Sequence, residues 1–320
     1  MKYRHLLFNI LVFESRCKHK IVNIFHNQSQ KRVGYLDRDG NLYGLNCEKP
    51  VKKMGKFQWN EDGIYHADDV RWYETKIKSR GNVNWKNHFI EQYIESDNEW
   101  ALKSEKNCWF WSHVDKIHFF TASSSPLYTD FQLDTFHEIF MNGSIYQNGT
   151  KLIGLSKDSS LWTAATMFGV DSVLTVDEGN HFMIQNISKR EILFEIILPI
   201  NMPGQKITIN KEGNFIHVFI FFPTKGVYVL KFYGSFEKLS SSFYLSIPMA
   251  KYMASDYPYL TVLDENSKLF IYHIHNNDSY EQKYSSHVKM LPLHLDQFIQ
   301  YKTTIYAHDC SKLYKLVYVL

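Results

Sequence analysis

The sequence predicts a mainly β protein: a β-propeller-like series of repeated hairpins, with one short helical segment near the N-terminus. Three observations carry that prediction. Stretches in the C-terminal half share one grammar, an apolar run followed by a short polar turn and a mixed run. Equivalent positions in those stretches recur at a nearly constant interval. Aromatic residues make up 16% of the chain, with 23 Phe, 21 Tyr and 7 Trp, a composition that suits side-chain packing on sheets.

The grammar is plainest in "YLTVLDENSKLFIYHI" (259–274) and its echo "TTIYAHDCSKLYKLVYVL" (303–320). "FIHVFIFFPTKGVYVLKF" (215–232) and "DSVLTVDEGNHFMIQNI" (171–187) follow the same order. Aligning the second run of each places Phe182, Val227, Leu269 and Leu313 in one column, at steps of 45, 42 and 44 residues. That interval matches a four-stranded propeller blade, and the four residues are expected in blade cores. The first run is apolar throughout, as an inner strand buried on both sides would be. Asp-Glu-Gly-Asn, Thr-Lys-Gly and Asp-Glu-Asn-Ser supply hairpin turn chemistry. The second run mixes aromatic, β-branched and polar residues, as a more exposed strand would.

Upstream, "KIHFFTASSSPLYTDFQL" (116–133) and "RVGYLDRDGNLYGLN" (32–46) have the same shape, and the step from Leu42 to Leu127 is 85, close to two periods. "KLIGLSKDSSLWTAAT" (151–166) reads as a hairpin out of phase, assigned to a blade with an insertion. In period and blade shape the chain resembles the WD-repeat class. It has no Trp-Asp dipeptide at a blade end and no Gly-His before one, so it reads as a degenerate member. A sandwich, or a set of unrelated hairpins, shares the strand-turn-strand grammar without the fixed interval.

Between residues 68 and 103 the pattern changes. Asp68 and Asp69 are placed to cap a short helix through Trp72 to Ile77. A second helix is expected from Asn84, with Trp85, Phe89, Tyr93 and Ile94 on one face and Glu91, Gln92 and Glu95 on the other. The stretch resembles the segment that follows the F-box in F-box/WD-repeat proteins. Trp72, Trp85, Lys86, Phe89 and Trp100 are the matching residues. The resemblance implies a substrate-recognition subunit of a cullin-type ubiquitin ligase, with a Skp-type adaptor and a substrate protein as partners. Trp72, Trp85, Phe89, Tyr93 and Trp100 would then pack a helical linker against the propeller. The family places a three-helix F-box core upstream. Residues 1–60 hold the 32–46 hairpin and the Lys-rich "CEKPVKKMGKF" instead, leaving "HLLFNILVFESRC" as a helix remnant. The resulting organisation is an N-terminal region (1–105), carrying an F-box remnant or ring-closing strands, and propeller repeats (106–320).

No cofactor, metal or catalytic residue is assigned. "DRDGN" (37–41) has the start of a calcium loop without its closing Glu, and is read as a hairpin turn. "SKDSSLW" (156–162) resembles the Asp-box of sialidases, but Ser160 replaces the Gly and no acid pair surrounds it. His273 and His275 share a strand face without carboxylate or thiol partners. Cys310 beside Asp309 lacks an assigned base. The net charge of +3, with scattered Lys and Arg, implies no nucleic-acid patch. Cys17, Cys47, Cys108 and Cys310 form no CxxC pair, consistent with a reducing compartment.

"MKYRHLLFNILVF" lacks the long apolar core and cleavage site of a signal peptide, and no stretch reaches a membrane span. The expectation is a cytoplasmic or nuclear chain that recognises other proteins. Two alternatives stand beside it: a propeller scaffold in another complex, and a secreted propeller enzyme acting on glycans. The sequons at Asn27, Asn142, Asn148, Asn186 and Asn277 favour the second of these.

Overall fold

The first strand, β1 (Asn9–Arg16), pairs not with its neighbour in sequence but with the last strand, β30 (Lys312–Val319). The structure is a computed structural model. It describes residues 9–16, 20–27, 32–45, 52–60, 63–68, 72–73, 90–96, 100–104, 108–113, 116–121, 126–132, 135–154, 160–274, 280–287, 291 and 294–319.

Among these the strands form seven antiparallel sheets. The first joins β2 (Ile21–Asn27), β3 (Arg32–Asp37), β4 (Asn41–Leu45), β5 (Lys52–Asn60), β6 (Gly63–Asp68) and β7 (Trp72–Tyr73). The second holds β8 (Ile90–Glu95), β9 (Trp100–Ser104), β10 (Cys108–His113) and β11 (Lys116–Thr121). The third holds β12 (Tyr128–Gln132), β13 (Thr135–Ile139), β14 (Ser144–Gln147) and β15 (Thr150–Gly154). The fourth is β16 (Trp162–Phe168), β17 (Ser172–Asp177), β18 (His181–Asn186) and β19 (Glu191–Ile197). The fifth is β20 (Lys206–Glu212), β21 (Phe215–Phe222), β22 (Gly226–Tyr233) and β23 (Leu239–Ser246). The sixth is β24 (Ala250–Asp256), β25 (Tyr259–Asp264), β26 (Lys268–Ile274) and β27 (Tyr280–His287). The seventh is β28 (Gln297–Tyr301), β29 (Thr304–His308) and β30, with β1 as its outermost strand.

The chain is mainly β and propeller-like. The first strand of each sheet touches the first strand of the next, and β28 touches β2. Apolar side chains fill the spaces between successive sheets. Phe182 joins Ile207 and Val218 between the fourth and fifth sheets, and Val227 joins Met253 and Leu260 between the fifth and sixth. Leu269 packs with Phe298 and Ile305 between the sixth and seventh. Leu313 packs with Ile21 and Tyr35 between the seventh and first. Each of these four is the second residue of the third strand of its sheet, and each is buried. The recurrence of apolar residues at one register is what makes stacking possible. A sheet alone leaves one face uncovered, and burying a single Leu or Phe there stabilises by about 1.5–3 kcal/mol.

The structure shifts the phase of several hairpins. The run "YLTVLD" is β25, the second strand of its sheet rather than the innermost; all six of its residues are buried, so apolar character marked burial and not position. In the third sheet the residue equivalent to Leu42 is Ile145, not Leu127, which precedes β12. Residues 116–133 and 151–166 are not hairpins. Each begins with the outermost strand of one sheet and ends in the first strand of the next.

The helical segment is corrected where it is described: Trp72–Tyr73 and Ile90–Glu95 are strands, no helix occurs among the described residues, and residues 74–89 lie outside them. Trp72 lies on β7, Tyr93 and Ile94 on β8, and Trp100 on β9. A register shift between Ile90 and Gln92 breaks the two-residue alternation of β8, so its apolar spacing imitates a helix. Trp85 and Phe89 lie outside the described residues. The proposed boundary at residue 105 falls between β9 and β10, which pair with each other.

Candidate functional site

Because the first strand of each sheet lies against the first strand of the next, one side of the sheets gathers two kinds of loop. These are the turns between second and third strands, and the connections entering each first strand. On this turn face the recurring Asp is consumed by structure. The Asp264 carboxylate accepts the N–H groups of Asn266 and Lys268, both at 2.8 Å, and Asp177 does the same for Gly179 and His181 at 2.9 Å. Asp37 accepts from Asp39 and Asn41, and Asp309 from Ser311 and Lys312. A calcium role for "DRDGN" has no place here, since Asp37 is fully engaged in closing its turn.

The residue that follows the turn Asp, or the residue at the equivalent place, hydrogen-bonds the segment that enters a first strand, in the next sheet or in its own. Ile21 N–H donates to the Cys310 carbonyl at 2.7 Å, and Trp162 N–H to Met141 at 2.9 Å. Glu178 N–H donates to Leu161, and Glu265 N–H to Met249, at 3.0 and 2.9 Å. Three residues of these bonded pairs carry large apolar side chains into solvent: Met141, Leu161 and Met249 are 45%, 41% and 42% exposed.

A second pattern appears at one register of the first strands. Asn23 Oδ1 accepts from Tyr93 N–H in the next sheet at 3.0 Å. Lys206 Nζ donates to the Met253 carbonyl at 2.9 Å, and Gln297 Oε1 accepts from Ile24 N–H at 2.5 Å. The Tyr252 hydroxyl bonds both N–H and carbonyl of Leu295. Tyr128 reaches Thr166 and Met167. Five equivalent side chains therefore tie five of the seven first strands to the strand, or the segment leading into it, of the next sheet. A one-residue shift in pairing precedes Asn23 and Tyr252, and that bulge re-aims the side chain.

The ionisable groups do not assemble into a catalytic set. Burial pushes Asp130 up to about 6 and Glu138 up to about 8, the latter opposed by Lys103. Lys206 keeps solvent access while protein surrounds its ammonium, and the partial desolvation pulls it down to about 8. Cys310 lies 2.5 Å from Asp296 Oδ2, and His308 Nδ1 accepts the Cys310 backbone N–H at 3.2 Å. Burial and that carboxylate raise the thiol's pKa, the opposite of what a nucleophile needs. No cluster of His, Cys, Asp and Glu suited to a metal occurs among the described residues. His273 packs against the Tyr259 ring, and His275 lies outside the described residues. No helix among the described residues is long and apolar enough to cross a membrane.

Of the residues expected in a helical linker, Tyr93 has the clearest role. Its ring meets Phe25 edge-on at 4.7 Å, and its hydroxyl donates to Glu95 at 2.6 Å, joining the first two sheets. The junction methionines and the inner-register side chains were missed from sequence.

The arrangement defines a β protein of seven stacked antiparallel sheets, six of four strands and one of six. Two solved structures share it. A computationally designed protein, Ika8, has a TM-score of 0.61 at 10% identity, over 95% of this chain and 98% of its own. BamB from Moraxella catarrhalis has a TM-score of 0.50 at 9% identity, over 93% of this chain and 85% of its own. At such identities the likeness extends to the fold alone. No family model and no curated protein matches the sequence.

Proposed function

We propose that this chain is a closed, seven-bladed, WD-repeat-like propeller without catalytic activity, and that it binds another protein through its turn face. The observation that carries the reading is the exposure of Met141, Leu161 and Met249 at sheet junctions. An apolar side chain on a mobile loop can turn inward; the backbone carbonyl of each of these three is fixed by a main-chain hydrogen bond. Pre-organised apolar side chains in a polar surround suit recognition of a protein surface, and methionine adapts its shape to what it meets.

A ubiquitin-ligase role through a Skp-type adaptor would need a helical docking unit ahead of the ring. Between residues 9 and 60 the described residues are strands and turns of the seventh and first sheets, which favours a scaffold role. The test is affinity capture with the wild type and with a Met141→Glu, Leu161→Glu, Met249→Glu variant. The wild type is expected to recover a stable protein partner that the triple variant loses while its melting temperature is unchanged. Equal recovery by both proteins would remove the turn face from the reading. Recovery of a Skp-family adaptor with a cullin would restore the ligase form.

A further inference from the structure

The chain contains two Asn-Gly pairs, and both close turns of the third sheet. Asn142-Gly143 joins β13 to β14, and Asn148-Gly149 joins β14 to β15 at the other end of β14. A glycine has no side chain to shield its nitrogen, so these are places where main chain can reach the preceding carboxamide. The two turns treat that nitrogen differently. Gly143 is buried and its N–H donates to the Phe140 carbonyl at 3.0 Å, while the Asn142 carboxamide oxygen accepts the Ser144 N–H at 3.1 Å. At the other turn Asn148 is exposed and Gly149 half-buried, and the Gly149 N–H makes no hydrogen bond among the described residues. The Asn148 carboxamide oxygen accepts the Phe136 N–H at 2.9 Å, a contact that polarises its carbon toward attack.

Asn148 and Gly149 both have left-handed backbone, at φ 49° and 75°, as a two-residue type I′ turn requires. Flipping the peptide between them converts the turn to type II′, and Gly149 crosses to negative φ without steric cost. The flip carries ψ of Asn148 from about +30° to about −120°, which swings the Gly149 nitrogen beneath the Asn148 side chain. Gln147 and Thr150 lie outside the flipped peptide, so their pairing survives it. At Asn142 the same flip turns away the N–H that Phe140 holds. We propose that Asn148 is a site of spontaneous backbone modification, converting to isoaspartate and aspartate through a succinimide. The Gly149 nitrogen loses its proton to water and attacks Cγ of Asn148; the Cγ–Nδ2 bond breaks and ammonia leaves. Water then opens the five-membered imide. Opening at Cγ gives aspartate, which keeps an acceptor for Phe136. Opening at the main-chain carbonyl routes the backbone through Cγ and adds one carbon to a turn whose two residues set the pairing of Gln147 with Thr150. Asn142, beside Met141 on the turn face, is spared.

The test is prolonged incubation of the folded wild type at neutral pH, followed by peptide mapping in a mass spectrometer. Isoaspartate is counted separately, by enzymatic methylation of its free carboxylate. Two hydrogen bonds must break before Asn142 can react, which slows it roughly tenfold, so acid should accumulate at Asn148 about ten times faster than at Asn142. In denaturant both Asn-Gly pairs are released from their turns, and the two rates should converge. Equal rates in the folded protein, or a faster Asn142, overturn the proposal. So does a folded Asn148 that stays intact for as long as the denatured chain takes to convert. A tenfold ratio that persists in denaturant overturns it as well, because the neighbouring sequence and not the turn would then set the rate.

Discussion

The hairpins β21–β22 and β25–β26 occupy the same place in neighbouring sheets and are turned by different chemistry. In the sixth sheet the Asp264 carboxylate gathers the N–H groups of Asn266 and Lys268, and Ser267 takes a left-handed conformation at φ 58°. In the fifth sheet the strand ends in Phe222 and no carboxylate is present at the turn. There Thr224 adopts φ 60° and Gly226 φ 135°, and Thr224 N–H donates to Ala250 at the entrance of the next sheet. A Cβ at Gly226 would sit 2.1 Å from the Leu245 carbonyl oxygen and 2.8 Å from the Ile247 nitrogen. One turn is closed by a side chain reaching its own backbone. The other is closed by two backbones approaching so closely that only glycine fits. Both deliver their third strand to the same register, so Val227 and Leu269 reach equivalent inter-sheet cores.

If that shared register is what the two turns serve, the largest effect should come from the column itself. Leu269 is fully buried among Leu263, Ile271 and Ile305. Leu269→Asp should unfold the chain, because a charge buried there without a partner costs several kcal/mol. Circular dichroism and a urea transition check it; near-wild-type stability would separate Leu269 from the core.

Gly226→Ala comes next. The strained φ and the clash with main chain on Leu245 and Ile247 leave no flexible atom to give way. The expected loss is about 3 kcal/mol, read from the denaturation midpoint. A loss below about 0.5 kcal/mol, the range ordinary for a surface change, would mean that the two turns do not differ as described.

The same comparison explains what was legible in the sequence. Turns of the Asp type advertise themselves, because a carboxylate followed by small polar residues between apolar runs has one reading. The four-residue column from Phe182 to Leu313 came from aligning the runs that follow the turns, Asp-type or not, and with it the propeller-like layout. Harder to read was the place of each hairpin within its sheet. A second strand buried on both faces, such as β25, carries the same apolar run that an inner strand would. The N-terminal third was misread where bulges break the alternation, as at Glu91 in β8, and where Tyr93 is buried by a distant partner, Phe25, that local spacing cannot show. The exposed junction side chains were hidden for a related reason. Met141 and Met249 look like core residues until the hydrogen bonds that fix their backbone carbonyls are in view.

The smallest effect tests the carboxylate itself. In the seventh sheet Asp309 closes the turn before β30, accepting from the N–H groups of Ser311 and Lys312 and from the hydroxyls of Ser311 and Tyr314. Burial alone would raise its pKa, but these hydrogen bonds outweigh burial and hold it below the ordinary value of 3.8. A carboxylate depressed in the folded state contributes stability that is fully present above its unfolded pKa and lost as pH falls through the folded value. The window therefore opens just below pH 4 and runs downward, and neutral pH lies outside it. Asp309→Asn keeps an acceptor oxygen but removes the charge, so the variant should lose about 1 kcal/mol or less at pH 7, a figure discounted for solvent screening. Over the acid window its stability should fall less steeply than the wild type's. Urea midpoints at pH 7 and at successive steps below pH 4 measure both quantities. Parallel wild-type and variant curves in acid would show that the Asp309 hydrogen bonds contribute no charge-dependent stability, and that an Asp turn and a glycine turn differ only in geometry.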